Sequence, residues 1–293
     1  RIAARTARAG DYTVEKDILL GAHDGVDLFG DLYIPEGKGP FPGILFLHGG
    51  GFVGGTRNYD GVLSLIRFFA ENGYMALTAD YRYIQSGGMF PNNTRDAKCA
   101  MAWFKAKGPE RGLDPGRVAT SGESAGAYLA AMVAFTAGDP YFDPDCGGPA
   151  GVDLSARAAV LFYGPYNFAS FEGGFKKILE LEIARAAGLN TKKKKHEFIA
   201  RNSPINYVQN APPALVINTE IDGTVPPQQS VELAAALAAA GRIHEHLVVT
   251  GPDMNHGFVL TMPDSPQALL AKSKTLEWLA RHLAPVSSGS STD

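Results

Sequence analysis

Short, unbroken apolar runs alternate along this chain with segments whose apolar residues recur every three or four positions. "PGILFLH" (42–48), "YMALTADYR" (74–82), "RVATSG" (117–122), "ARAAVLFYG" (156–164), "ALVINT" (214–219) and "HEHLVVT" (244–250) predict strands. The first two are apolar almost throughout, as strands buried on both faces are. Between these runs, "GVLSLIRFFAENG", "NNTRDAKCAMAWFKAKG" (92–108), "SAGAYLAAMVAF", "VPPQQSVELAAALAAAG" and "SPQALLAKSKTLEWLARHL" predict helices. Two opening segments, "YTVEKDILL" and "VDLFGDLYIP", alternate apolar with polar residues and predict antiparallel strands. Such a succession predicts an α/β fold with a mostly parallel central sheet flanked by helices on both faces.

No repeat or linker divides the pattern, so one domain spanning 1–293 is expected. The stretch 165–205 breaks the alternation. Phe175, Ile178, Leu179 and Ile183 fall on one side of an amphipathic helix there. An insertion after a central strand can serve as a small cap or lid, or as plain surface decoration. Residues 286–293, ending "SSGSSTD", have the composition of a flexible tail.

With 45% hydrophobic and 19% charged residues, 293 residues suffice for a large core. The net charge of −3 leaves no basic footprint for nucleic acid. The basic run Lys192 to Lys195 is short, followed by His196 and Glu197, and reads as a solvated helix end. No apolar run approaches the ~20 residues of a membrane span. Cys99 falls in a helical pattern and Cys146 in the loop "DPDCGGPAG"; whether they are bridged is left open. The chain starts at Arg1 without a Met or a signal-peptide pattern. A soluble protein is expected, secreted or periplasmic if a leader has been removed, and a monomer or homodimer.

Candidate chemistry begins with Gly122-Glu123-Ser124-Ala125-Gly126, between a predicted strand and a predicted helix. A tight strand-to-helix turn exposes a serine nucleophile there, and glycine two residues to either side removes backbone clashes. The helix N-terminus adds positive partial charge beside the hydroxyl. "FLHGGGFVGG" (46–55) follows the first buried strand, and successive glycines let backbone N–H groups converge on one spot, as stabilisation of an oxyanion requires. The chain has no Gly-Lys-Ser/Thr phosphate loop.

Of seven histidines, His256 in "PDMNHGF" is best placed to act as a base, in the loop after the last strand. His48 reads as support for the glycine loop, and His23 as part of a turn. His196 reads as solvated, and His282 lies near a helix end, where its charge suits the dipole. His244 and His246 share a strand face but lack a third metal ligand at suitable spacing, so no metal site is expected. Asp222 in "NTEIDGTVPPQQS" follows the penultimate strand and can orient the histidine, with Glu220 as its nearest rival. The chain order serine, acid, histidine is that of α/β-hydrolases.

"HGGGF", "GESAG", "SPINYV", "DGTVPPQQS" and "NHGF" together resemble an α/β-hydrolase of the esterase/lipase type, over roughly residues 12–284. The chain is similar to hormone-sensitive-lipase-like carboxylesterases and to bacterial acetyl and feruloyl esterases. Its short leader and "DGTVPPQQS" acid loop favour the second group. The resemblance implies Ser124 as nucleophile, Asp222 and His256 as its partners, and Gly50, Gly51 and Ala125 as oxyanion donors. It also implies a serine esterase without metal or organic cofactor. The expected substrates are small-molecule esters with short or small aromatic acyl groups, acetyl or feruloyl esters of carbohydrate among them. Phe52, Tyr83, Tyr163 and Tyr166, with Phe168 and Phe171, are aromatic residues near the expected site that could wall a substrate pocket. Two other readings remain: a formamidase-like amidase or peptidase on the same fold, and a ligand-binding homologue that has lost catalysis.

Overall fold

The structure, a computed structural model, describes residues 10–172, 176–177, 180–181, 188–251 and 253–285. The expected amphipathic helix of Phe175, Ile178, Leu179 and Ile183, and the terminal 286–293, lie outside the described residues.

The alternating segments at the start become β1 (Tyr12–His23) and β2 (Val26–Pro35), an antiparallel hairpin. It closes through Asp24-Gly25, both at positive φ (50° and 77°), as a two-residue turn matched to strand twist requires. There follow β3 (Phe41–Leu47), α1 (Asp60–Glu71), β4 (Met75–Ala79), α2 (Asn92–Lys107), β5 (Leu113–Glu123), α3 (Ala125–Phe135) and β6 (Ala158–Phe162). The chain continues through α4 (Lys192–Arg201), β7 (Ala214–Thr219), α5 (Gln228–Ala239), β8 (His244–Val249), the single turn α6 (Phe258–Thr261) and α7 (Pro266–His282).

Among the described residues the sheet has eight strands in the order β1-β2-β4-β3-β5-β6-β7-β8, parallel from β4 onward. Successive side chains of a strand face opposite layers, and β3 shows the division. Leu45 and Leu47 join a core with α2, α3 and α5, whereas Ile44 and Phe46 join one with α1 and α7. Helix α3 is buried along its whole length, as a helix apolar all round must be. Truncating a side chain such as Phe46, fully buried between sheet and helices, costs ~3–5 kcal/mol.

Three boundaries differ from the sequence reading for visible reasons. Strand β4 stops at Ala79: the Asp80 amide still donates to Phe29 O of β2 (2.8 Å) while its carboxylate takes Arg57, and beyond it Arg82 turns away to pair with Asp96. Strand β5 begins earlier, at Leu113, where Phe41 is its partner in β3. His23 ends a strand rather than lying in a turn, and its ring contacts buried Asp96 at 3.0 Å. Cys99 and Cys146, left open by the sequence, are joined in a disulfide between α2 and the loop that follows α3. Lys192 to Lys195 form the exposed first turn of α4. No helix among the described residues is long and apolar enough to cross a membrane.

Candidate active site

The chain runs β3, α1, β4 to one side of β3 and then returns through α2 to β5 on the other. Strand order reverses between β3 and β5, and the crevice outside the carboxyl ends of such strands is where open α/β sheets bind ligands. The glycine loop leaves β3 at Leu47, and Ser124 follows β5 at Glu123. Leu47 is paired with Gly122 in register, so the two segments emerge side by side. Strands β7 and β8 deliver the Asp222 and His256 loops to the same edge, with Thr219 opposite Val249.

Ser124 takes φ 53° and ψ −121°, a conformation that costs ~1–3 kcal/mol for a residue with a side chain. The surroundings hold it there. Its amide donates to Phe162 O (2.9 Å), and α3 starts at the next residue. A Cβ at Gly122 would overlap the Gly126 carbonyl, and one at Gly126 would overlap the Leu47 carbonyl. Small residues therefore surround this hydroxyl because β3, β5 and α3 meet there backbone to backbone.

His256 Nδ1 lies 2.7 Å from Asp222 Oδ2, and Nε2 lies 2.9 Å from Ser124 Oγ. With a neutral imidazole, Nδ1–H donates to the carboxylate and Nε2 accepts from the serine hydroxyl. The Asp222 side chain is 1% exposed. Its other oxygen accepts from the Thr224 and Val225 amides, both at 2.8 Å, which fixes the carboxylate plane. Glu220 is exposed and not part of this line. Asn255 joins the two loops: its Oδ1 accepts from the Gly223 and His256 amides, at 3.1 and 2.7 Å. The sequence reading did not assign Asn255, although it stands beside His256 in "NHGF".

The glycine loop turns sharply, with Gly50 at φ 118° and Gly51 at φ 61°. Gly50 O accepts from the amides of Val53 and Gly54, both at 3.1 Å. The amides of Gly50, Gly51 and Ala125 meet no acceptor among the described residues. His48 and Glu123 grip the loop from beneath. His48 Nδ1 lies 2.6 Å from Gly49 O, and Glu123 accepts from the Gly49 amide. Burial pulls the His48 imidazole down to about 4. It also pushes the Glu123 carboxyl up to about 6, against the opposing pull of the Gly49 amide and of His256.

The segment after β4 clasps the loop from outside. Tyr81 Oη donates to His48 O (2.9 Å), Ile84 N to Phe52 O (2.9 Å), Gln85 Nε2 to Val53 O (2.7 Å) and Tyr83 Oη to Gly55 O. Sequence reasoning missed this strap, because nothing in a loop's composition says which carbonyls it will reach.

The aromatic residues considered for a substrate wall separate by burial, and for most of them the structure corrects the sequence reading. Phe52, Tyr163 and Tyr166 are 0–1% exposed and Phe168 and Phe171 are also buried, so none faces an open cleft. Phe52 packs edge-on against Phe90 and Tyr128, and Tyr166 Oη accepts from the Gly164 amide at 3.0 Å. The Tyr163 ring stands edge-on to His256, with centroids 4.9 Å apart, and so supports the imidazole. Tyr83 alone is half-exposed, as part of the strap.

A cleft of about 300 Å³ opens between the glycine loop and the start of α6, with His256, Gly50, Tyr59 and Leu260 among its lining. A larger hollow of about 660 Å³ beside α4 borders none of these groups. His244 Nδ1 is turned to Arg242 O (2.9 Å) and His246 Nε2 to Asn218 Oδ1 (2.6 Å). Among the described residues, no group of three or more His, Cys, Asp or Glu side chains could hold a metal ion.

Comparison with known proteins agrees with this architecture. Esterase LipC of Mycobacterium tuberculosis is 32% identical over 222 residues, covering 75% of this chain and 54% of LipC. LipM of the same organism, a probable carboxylic ester hydrolase, is 30% identical over 223 residues, 75% of this chain and 51% of LipM. The chain thus spans about half the length of either relative. A thermophilic esterase from Thermogutta terrifontis, Est2, solved with propionate bound, superposes with a TM-score of 0.73 at 23% identity, over 96% of this chain and 98% of that one. That likeness bears on the fold, which is that of α/β-hydrolase esterases. The sequence profile of BD-FAE matches residues 30–237, well over half the chain, from β2 to within α5. The chain belongs to the BD-FAE family, a hormone-sensitive-lipase-like family of esterases.

Proposed function

We propose that this chain is a serine carboxylic-ester hydrolase acting on esters with short or small aromatic acyl groups. The observation that carries the reading is the continuous line from Asp222 Oδ2 through both nitrogens of His256 to Ser124 Oγ, at 2.7 and 2.9 Å. Ser124 Oγ attacks the ester carbonyl as its proton passes to His256 Nε2. The resulting imidazolium is stabilised by Asp222. Negative charge on the carbonyl oxygen is met by the amides of Gly50, Gly51 and Ala125, each such donor typically worth ~3–4 kcal/mol of barrier. The carbon–oxygen bond to the alcohol then breaks, and His256 returns the proton to the departing alkoxide. Water repeats the sequence on the acyl-enzyme: His256 takes its proton, the acid leaves, and the proton ends on Ser124 Oγ. Esterase relatives support ester hydrolysis, and the propionate bound to the Thermogutta enzyme supports a short acyl group.

Purified protein should hydrolyse 4-nitrophenyl acetate, and Ser124→Ala should lower kcat by ~10⁴–10⁶. A fluorophosphonate should label wild type at Ser124 and leave the variant unlabelled. Turnover that survives in cleanly purified Ser124→Ala would remove Ser124 from the mechanism. Failure of folded wild-type protein to label would favour a binding protein over an enzyme.

A further inference from the structure

The acid and the base sit on two loops that are held in unequal ways. The acid loop, after β7, fastens itself. Asp222 Oδ1 accepts from the Thr224 and Val225 amides, both at 2.8 Å, and Thr219 Oγ1 donates to Ile221 O at 2.8 Å. The base loop runs from the end of β8 at Val249 to the start of α6 at Phe258. Among the described residues, one hydrogen bond joins backbone groups inside it, Met254 N to Gly251 O at 3.2 Å.

The ladder that pairs β7 with β8 gives out at Glu220 N to Val249 O, 3.0 Å. Beyond it, among the described residues, two side chains join the loops by hydrogen bonds. One is Asp222, whose Oδ2 lies 2.7 Å from His256 Nδ1. The other is Asn255, whose Oδ1 accepts from the Gly223 amide at 3.1 Å and from the His256 amide at 2.7 Å. Gly223 follows Asp222 in the chain, so one oxygen ties the backbone beside the acid to the backbone of the base.

That second tie has a geometric consequence. An imidazole held by Asp222 alone can pivot about the bond at Nδ1, and the pivot sweeps Nε2 across Ser124 Oγ. Fixing the His256 amide to the same acid loop removes this freedom. Misplacing a reacting group by about 1 Å can cost ~10²-fold in rate. Asn255 is exposed, so water can serve both amides once its carboxamide is gone. Its removal therefore loosens the placement of His256 and takes little from the fold.

We propose that Asn255 is a positioning residue, which sets the base loop against the acid loop so that His256 bridges Asp222 and Ser124. The inference rests on the reading of Ser124 as nucleophile and His256 as base. Asn255→Ala should lower kcat on 4-nitrophenyl acetate at least about ten-fold, with KM within about two-fold of wild type. The rate of fluorophosphonate labelling at Ser124 should fall by the same factor, and the melting temperature by no more than about 4 °C. Asn255→Asp keeps an oxygen for both amides and should label within about three-fold of the wild-type rate. The sharpest arm is a double-mutant cycle read by labelling rate. If Asn255 acts through the pairing of His256 with Asp222, adding Asn255→Ala to Asp222→Ala should slow labelling by less than about two-fold. Wild-type kcat in Asn255→Ala overturns the proposal. So does a loss in Asn255→Asp as large as in Asn255→Ala, or a full additive loss in the double variant. Turnover that survives in Ser124→Ala is a separate result, against the nucleophile assignment.

Discussion

His48 and Glu123 touch opposite ends of the Gly49 peptide, one at its carbonyl and the other through its amide. Their titrations pull stability in opposite directions. Burial holds His48 at about 4, below its ordinary 6.5. Its neutral form therefore contributes fully above pH 6.5, and that contribution drains away as pH falls towards 4, up to about 3 kcal/mol. Glu123 is raised from 4.5 to about 6, so the fold favours its protonated form. Its contribution is full below pH 4.5 and is lost as pH rises through 6, about 2 kcal/mol. Between pH 4.5 and 6 the two slopes oppose each other. Glu123→Gln keeps an oxygen for the Gly49 amide but removes the titration. Unfolding free energy measured in urea should then fall more steeply than in wild type as pH drops from 6 to 4.5. Parallel curves for the two proteins would mean that Glu123 does not titrate in this window.

At the scale of elements, the strap after β4 is the feature that the hydrophobic pattern could not announce. The pattern located β2 and β7 residue for residue, because their apolar runs are bounded by Asp-Gly and Pro-Pro punctuation. Gly122, Ser124 and Gly126 were legible for a similar reason, since their spacing is dictated by backbone contact and not by a distant partner. Beyond Arg82, where the apolar run that reads as a strand ends, composition is all that remains, so Tyr83 reads as a pocket wall and Gln85 as nothing in particular. Phe52 and Tyr166 meet the same limit, since in irregular segments no period separates inside from outside, while Tyr163 closes an apolar run in which every position reads as buried. The strap's contacts suggest its role. Gln85 Nε2 holds Val53 O, and Ile84 N holds Phe52 O, just beyond the Gly50 and Gly51 amides. Gln85→Ala should lower kcat about ten-fold with little change in KM, less than the ~10²–10³ that follows outright loss of a donor. The rate of fluorophosphonate labelling should fall in proportion. A variant that loses only melting temperature, with kcat intact, would make Gln85 a structural residue alone.

Over the whole molecule, helix α2 joins the sheet's antiparallel end to the rest of the chain, and it does so twice. Asp96 pairs with Arg82 and contacts His23, and one turn later Cys99 is bonded to Cys146. Cys146 O in turn accepts the Ala22 amide at 3.0 Å, so the loop after α3 is clamped between α2 and β1. Sequence alone left this bond open because a separation of 47 residues says nothing of distance until the sheet is assembled. Linking residues that far apart restricts the unfolded chain and stabilises by about 2–4 kcal/mol. For a protein of this size that corresponds to roughly 3–7 °C in melting temperature. Neither the cysteines nor the 143–152 loop lines the cleft beside His256, so the effect belongs to stability and not to turnover. Reduction, or Cys146→Ser, should lower the melting temperature by that amount, while kcat on 4-nitrophenyl acetate at 25 °C stays within about two-fold of wild type. A melting temperature indifferent to reductant, with free thiols titrating as absent before and present after, would show that the ionic contacts of Asp96 hold α2 without help from the bridge.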